Sequence, residues 1–453
     1  MSNIPRSDSG NWAELRAELL DLHPSEAADA IAGLPENETA VAFRLLPKET
    51  AAKVFEYFDK HTQQATIKDL GKAEVAAILN DMAPDDRTAF LEHLPDQILK
   101  ETLNLLTDDE RAIAGTLLGY DENSVGRLMT PYYVQARETW TVKETLESIR
   151  RSGRKAETLN VVYVVDDENR LIDDVRIGQF LLADDMTVVS SIIDRKFTAL
   201  RATMDEEEAV QIFRRYDRST LPVVTDSGVL VGIVTADDIL DVAESEATED
   251  IQKFGGLEAL DLPYVRTPFY SLIRKRAGWL IILFLGEMLT ASAMGYFDDE
   301  IERAVVLALF VPLIISSGGN SGSQAATLII RAMALDEVTL RDWWYVMRRE
   351  VLSGLSLGVV LGVIGFVRIA LWQGLGIYNY TEHWLLVAVT VFASLIGIVM
   401  WGTLSGSMIP FVLRRFGLDP ATSSAPFVAT LVDVTGLVIY FTIASVILRG
   451  TLL

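Results

Sequence analysis

Residues 425–448 read Ala425-Pro-Phe-Val-Ala-Thr-Leu-Val-Asp433-Val-Thr-Gly-Leu-Val-Ile-Tyr-Phe-Thr-Ile-Ala-Ser-Val-Ile-Leu448. The stretch is long and apolar enough to cross a bilayer, and it carries a single carboxylate, Asp433, in its middle. An acid at bilayer depth costs roughly 2.5 to 3.5 kcal/mol, so it is kept where it faces a water-filled path or a buried partner. Asp433 therefore reads either as part of an ion route or as the partner of an arginine, and the first reading implies a chain that moves a cation.

Working outward, apolar segments run near 277–297, 303–333, 351–376, 384–413 and 420–449. Five spans place the two ends of the chain on opposite sides of the membrane. Arg274, Lys275 and Arg276 precede the first span, Arg341, Arg348 and Arg349 separate the second from the third, and Arg414 and Arg415 the fourth from the fifth. The other two loops hold one base between them, so the positive-inside rule puts the N-terminal half in the cytoplasm and the C-terminus outside. The second span is too long for one plain helix and contains Pro312, Gly318, Gly319, Asn320 and Gly322. These residues predict either backbone unwound along a wet cavity or close helix packing. Two further charges lie at membrane depth, Glu287 and Arg368; they read as a mutual pair or, for Glu287, as an ion site.

Charge divides the chain. Residues 271–453 hold 12 acids and 12 bases, so the whole net charge of −23 belongs to the first half. That half is long enough for two soluble domains, and its acidity argues for cations and against nucleic acid as a partner. Met1 to Trp12 is polar, so no cleaved secretory signal is expected. There is no cysteine, no nucleophile motif, and the four histidines lie outside the spans, which argues against an enzyme. In the first part, Leu22, Leu34, Leu46, Phe58, Leu70, Met82, Leu94, Leu106 and Leu118 recur every 12 residues, mostly followed by Pro, Gly, Asp or Thr. Each unit predicts a short helix and a turn, and paired units predict an α-solenoid-like stack.

A second repeat covers 127–245. Thr139-Trp140 and Thr203-Met204 lie 64 residues apart, as do Ile149-Arg150-Arg151 and Phe213-Arg214-Arg215. Each copy continues with a helix and β-rich runs such as Val161 to Val165 and Leu221 to Val224. This order, with the ending Gly232-Ile-Val-Thr235-Ala-Asp237-Asp238, resembles a tandem pair of α+β CBS domains. The resemblance implies that Thr235 and Asp238 hold the ribose of an adenine nucleotide such as ATP. The first copy departs from the pattern, with Arg176 and Gln179 at those places, so at most one such pocket is supported. The segment Asp241 to Thr267 is expected to run as a helix connecting these domains to the first span.

Together, a helical-repeat domain over 1–126, a CBS pair over 127–245, a connecting (plug) helix over 246–270 and a five-span domain over 271–453 resemble the bacterial MgtE family of magnesium channels. The segment from Pro312 through Ser-Ser-Gly318-Gly319-Asn320-Ser-Gly322-Ser to Gln324, and the pair Asp419-Pro-Ala with Pro426 to Gly436, carry the resemblance most specifically. It implies a multidomain inner-membrane protein acting as a homodimer in membrane lipid. One Mg2+ pore would lie between the subunits, lined by Pro312, Gly318, Gly319, Asn320, Gly322, Gln324 and Ala429. Asp433 would bind hydrated Mg2+ at the selectivity site and Asp419 would help at the cytoplasmic mouth. Mg2+ sheds water reluctantly and is commonly held by one or two carboxylates with waters retained, which suits one Asp per chain. By the same resemblance, Glu49, Asp81, Asp85, Asp237, Glu258 and Asp261 are candidate Mg2+ sensors whose mutual repulsion is relieved when cytoplasmic Mg2+ closes the pore. A coupled transporter using Glu287 and a membrane-anchored nucleotide sensor are the rival readings.

Overall fold

A computed structural model of the protein describes residues 12–452 apart from Asp261, Pro263, Arg266 and Thr381. The chain forms two units that divide between Glu244 and Ser245.

In the first unit the 12-residue ladder becomes short helices from Trp12 to Leu117. Pro24 and Pro84 open helices at their first residue, while Pro47 stands just before one. Asp59 and Thr107 cap others by accepting backbone N–H groups, as short polar side chains do at helix starts. All nine ladder residues belong to one apolar core. Helices two apart in sequence pack on one another, Pro24–Ala32 on Lys48–Glu56 and Lys48–Glu56 on Lys72–Asp81, which gives the stacked arrangement the repeat predicts. The last helix of the row, Asp108–Leu117, also sends Leu117 into the core of the second CBS unit.

The second repeat forms two three-stranded sheets, β1 (Gln135–Arg137), β2 (Val161–Val165) and β3 (Leu171–Arg176), then β4 (Leu200–Arg201), β5 (Thr220–Val224) and β6 (Leu230–Thr235). In each copy the first two strands are parallel and the last two antiparallel. The matching registers are the structural counterpart of the repeat.

The helix following β6 runs from Ala236 to Phe254 without interruption. It ends at Gly255 and Gly256, the latter at φ +75°, a conformation that glycine adopts without strain. Residues 255–260 are irregular, so the connecting helix expected through Thr267 stops after Phe254.

The second unit holds five helices of membrane-spanning length, Phe269–Tyr296, Val305–Ala334, Leu340–Gly374, Trp384–Arg415 and Ala425–Ile447. The second is interrupted, but not where the glycines lie. The break falls at Leu309 to Phe310, before Pro312, and from Val311 to Ala334 the helix is continuous through Gly318, Gly319, Asn320 and Gly322. The Leu307 carbonyl beside the break accepts a hydrogen bond from the buried Tyr440 hydroxyl at 2.9 Å, which satisfies a backbone group away from water.

The glycines serve packing. A methyl on Gly322 would stand 2.8 Å from Val428 Cγ1 and 2.9 Å from the Gly402 oxygen, and one on Gly406 would stand 2.8 Å from the Gly322 carbonyl carbon. The second and fourth spans thus meet backbone to backbone at Gly318 with Gly402 and at Gly322 with Gly406, the small-residue packing used where water drives no association. Gly406→Ala is expected to lower stability in detergent by about 1 to 3 kcal/mol, as overpacking does. Gly295→Ala, with open space around it, should leave the thermal midpoint unchanged or raised.

Candidate functional site

Two groups of acids, one in each unit, emerge from this scaffold. In the second unit Asp433 is half-buried on the fifth span and, among the described residues, has neither an ion-pair nor a hydrogen-bond partner. The arginine-partner reading is therefore overturned. A methyl on Gly319 would lie 3.7 Å from Asp433 Oδ1 and 3.5 Å from Ala429 Cβ, so Gly319 and Ala429 border the carboxylate and the lack of a side chain at 319 keeps it uncovered. Along the second span Pro312, Asn320 and Gln324 are exposed, as are Ser316, which the sequence suggested only as a small packing residue, and Thr327, which sequence reasoning did not single out. Asn320 donates to Ser316 Oγ at 3.4 Å. Gly318 and Gly322 turn the other way, buried against the fourth and fifth spans. Trp401 Nε1 donates to Thr435 Oγ1 at 2.8 Å and ties the fourth span to the fifth two residues beyond Asp433.

Glu287 lies close enough to act electrostatically on Asp433, as expected where Gly286 meets Thr430. It forms no pair with Arg368. That guanidinium instead lies 4.0 Å from the Trp372 ring centroid and 5.8 Å from that of Phe310.

Asp419 is already engaged. Its Oδ1 accepts from the Ala421 N–H at 2.8 Å and caps the turn 420–422, while its Oδ2 accepts from Lys253 Nζ at 2.8 Å. Lys253 also pairs with Glu249, and Asp250 is close enough for Asp419 to raise its carboxyl above the usual range, after burial. A fixed ammonium thus stands where the sequence suggested a metal. Glu258 belongs to the irregular segment, donating its backbone N–H to Lys275 at 3.1 Å, and Asp261 falls outside the described residues.

In the first unit the acids converge where the helical domain meets the CBS pair. Asp85 is the second residue of the helix Pro84–Leu91, is 8 % exposed, and its Oδ1 is buried without a hydrogen-bond partner. Burial, then the Asp238, Asp86 and Glu157 carboxylates, pushes the Asp85 carboxyl well up. Burial and the Glu56 and Asp238 carboxylates push Asp86 up to about 8, and Asp238 rises to about 6. Glu157, which feels Asp237, and Asp241 are raised more modestly at the exposed rim. The floor is buried and the rim exposed, and one charge repels the next. Asp85 and Asp237 are thus brought into one group, whereas Glu49 and Asp81 stand exposed outside it. Sequence reasoning missed Asp86, Glu56, Glu157 and Asp241; the adjacent pair Asp85-Asp86 was the available signal. Among the described residues no three such side chains close tightly enough to hold an ion as they stand. An orphaned buried oxygen amid mutually raised carboxyls nevertheless fits a cation, whose charge would supply the missing partner. Asp238 Oδ2 also accepts from Thr235 Oγ1 at 2.5 Å, so the two residues expected at a ribose hydrogen-bond each other.

The comparisons with known proteins agree along the chain. Residues 311–443 match the MgtE family of divalent cation transporters, 22–123 the MgtE intracellular N domain, and 189–245 the CBS domain. The chain is 43% identical over 347 residues to the magnesium transporter MgtE of Thermus thermophilus, covering 77% of this chain and 75% of that protein. It is 31% identical to the magnesium transporter MgtE of Bacillus subtilis over 81% of this chain and 79% of that one. Among solved structures it is similar to the cytosolic domain of the Mg2+ channel MgtE in complex with ATP, with 35% identity and a TM-score of 0.50, covering 51% of this chain and 95% of that one.

Proposed function

Because this chain belongs to the MgtE family of magnesium transporters, we propose that it is a Mg2+ channel, closed when cytoplasmic Mg2+ binds its acidic first unit. The observation that carries the reading is Asp433: an intramembrane carboxylate with no basic partner among the described residues, bordered by Gly319 and Ala429, with Pro312, Asn320 and Gln324 exposed on the span that carries Gly319. A polar helix face and a lone charge at bilayer depth need protein or water opposite them, and a second copy of the chain would supply both. One carboxylate from each copy then holds a hydrated ion loosely enough to release it, as conduction requires. The channel is multi-pass in the inner membrane, with its N-terminal half cytoplasmic and its C-terminus outside.

Closure follows from the first unit. Without metal, Asp85, Asp86, Asp238, Glu56, Glu157, Asp237 and Asp241 repel one another; a divalent ion bridging them favours the compact arrangement through its differential affinity. Asp237 and Lys253 belong to one helix, so tightening at its start bears on the end that holds Asp419. Lys253 neutralises Asp419 in this arrangement, and Glu49, Asp81, Glu258 and Asp261 are supplementary cation contacts. ATP at Thr235 and Asp238 would place phosphates near the same acids and so couple to Mg2+.

The test is dye-reported Mg2+ influx into liposomes carrying the full chain. Influx at low Mg2+ on the face bearing the first unit, and arrest at high Mg2+ there, are expected. Absence of influx would overturn the channel reading; influx indifferent to that Mg2+ would overturn the sensor.

A further inference from the structure

Arg368 is the charge at membrane depth that the pore does not use. It sits six residues before the end of the third span's helix, about 9 Å along the axis at 1.5 Å per residue. Among the described residues it has no acidic partner, and Glu287, the acid at comparable depth, acts on Asp433 instead. Its neighbours along the same helical face, Ile364, Val367, Leu371 and Leu375, are all exposed large apolar residues, a surface suited to lipid chains. Trp372 lies one turn nearer the helix end, and the guanidinium carbon stacks 4.0 Å from its ring centroid. Behind it stand Phe310, 1 % exposed, and Tyr380, 2 % exposed, with ring centroids 5.8 Å apart. The guanidinium is therefore backed by aromatic rings and flanked by aliphatic side chains, with its N–H donors unmatched by any acid among the described residues. Leaving a cation so placed without an anion is costly, and a long basic side chain near a span's end relieves this by reaching for the interface.

We propose that Arg368, stacked on Trp372, binds the phosphate of a phospholipid in the leaflet opposite the Arg348–Arg349 end of the third span. A planar guanidinium presents paired donors that match phosphate, and stacking holds it in position without satisfying those donors. The lipid-facing flank identifies the phosphate as one carried by acyl chains. Binding there would clamp the aromatic wall over the break that precedes the second span's helix, since Phe310 lies in that break.

Native mass spectrometry of the full-length protein, delipidated and then given phosphatidylglycerol or a diacylglycerol of the same chains, tests this. Wild type should retain phosphatidylglycerol in preference to diacylglycerol. Arg368→Leu should lose about one phosphatidylglycerol per protomer, and Arg368→Lys should retain it more weakly because it lacks the fork. Excess inorganic phosphate should not displace the lipid. Equal lipid counts in wild type and a monodisperse Arg368→Leu would overturn the proposal, as would absence of headgroup preference in wild type, a reading that needs no variant. Displacement by inorganic phosphate would assign the site to a soluble anion. If Glu287→Gln abolished the bound lipid as fully as Arg368→Leu, an ion pair between copies would replace the lipid site. None of these outcomes depends on whether the pore conducts.

Discussion

Replacing Asp433 with Asn should reduce Mg2+ flux to that of protein-free liposomes while leaving the protein folded. The substitution is nearly isosteric and removes a charge that has no basic partner among the described residues, so it breaks no ion pair. Apart from conduction it should be neutral or stabilising, since an uncompensated carboxylate at bilayer depth costs roughly 2.5 to 3.5 kcal/mol. Loss of flux with an unchanged or raised thermal midpoint is the signature of a charge kept for function. A variant that conducted like wild type would make Asp433 a packing residue. The contrast with Gly406→Ala is useful, because that change should lose stability and flux together.

The second large effect is expected at the first unit. Asp86→Asn should raise the cytoplasmic Mg2+ needed for half-closure by about tenfold or more, equivalent to about 1.4 kcal/mol of binding, and Asp85→Asn should do the same. Flux at low Mg2+ should be unchanged, which separates sensing from conduction. The same groups give a pH dependence of fixed sign. Burial and like charge hold Asp86 near 8 and Asp238 near 6, above the ordinary carboxyl value of about 4. The folded unit therefore binds extra protons across that window, and its stability is greatest below it and is lost as pH rises toward 8. Without divalent ions the thermal midpoint should fall between pH 6 and pH 8, and Mg2+ should restore more of it at pH 8. A midpoint that rose with pH, or Mg2+ protection equal in wild type and Asp86→Asn, would contradict the assignment.

Much of this was legible in the sequence because periodicity reports burial directly. The 12-residue ladder from Leu22 to Leu118 marked the core of the helical domain, since each unit must hide one apolar face. The 64-residue offset marked the CBS pair, and Asp433 stood out because no other acid interrupts the fifth span. What the sequence concealed were choices settled by partners far along the chain. The Gly318 to Gly322 segment could unwind or pack, and it packs because Gly402 and Gly406 supply a matching backbone surface on the fourth span. Asp419 looked like a free ligand, yet Lys253, 166 residues earlier, occupies it. The Glu287 and Arg368 pair was plausible by depth, but each side chain found a different neighbour. Asp86, Glu56 and Glu157 belong to three separate segments, and only their convergence makes them a site.

The most direct measurement is current through bilayers containing the full chain, with Mg2+ asymmetric and monovalent ions and pH symmetric. Current reversing at the Mg2+ equilibrium potential, independent of imposed Na+ or H+ gradients and silenced by raised Mg2+ on the side of the first unit, is the expected result. A reversal potential that moved with Na+ or pH would instead make Glu287 part of a coupled carrier and contradict a Mg2+ channel.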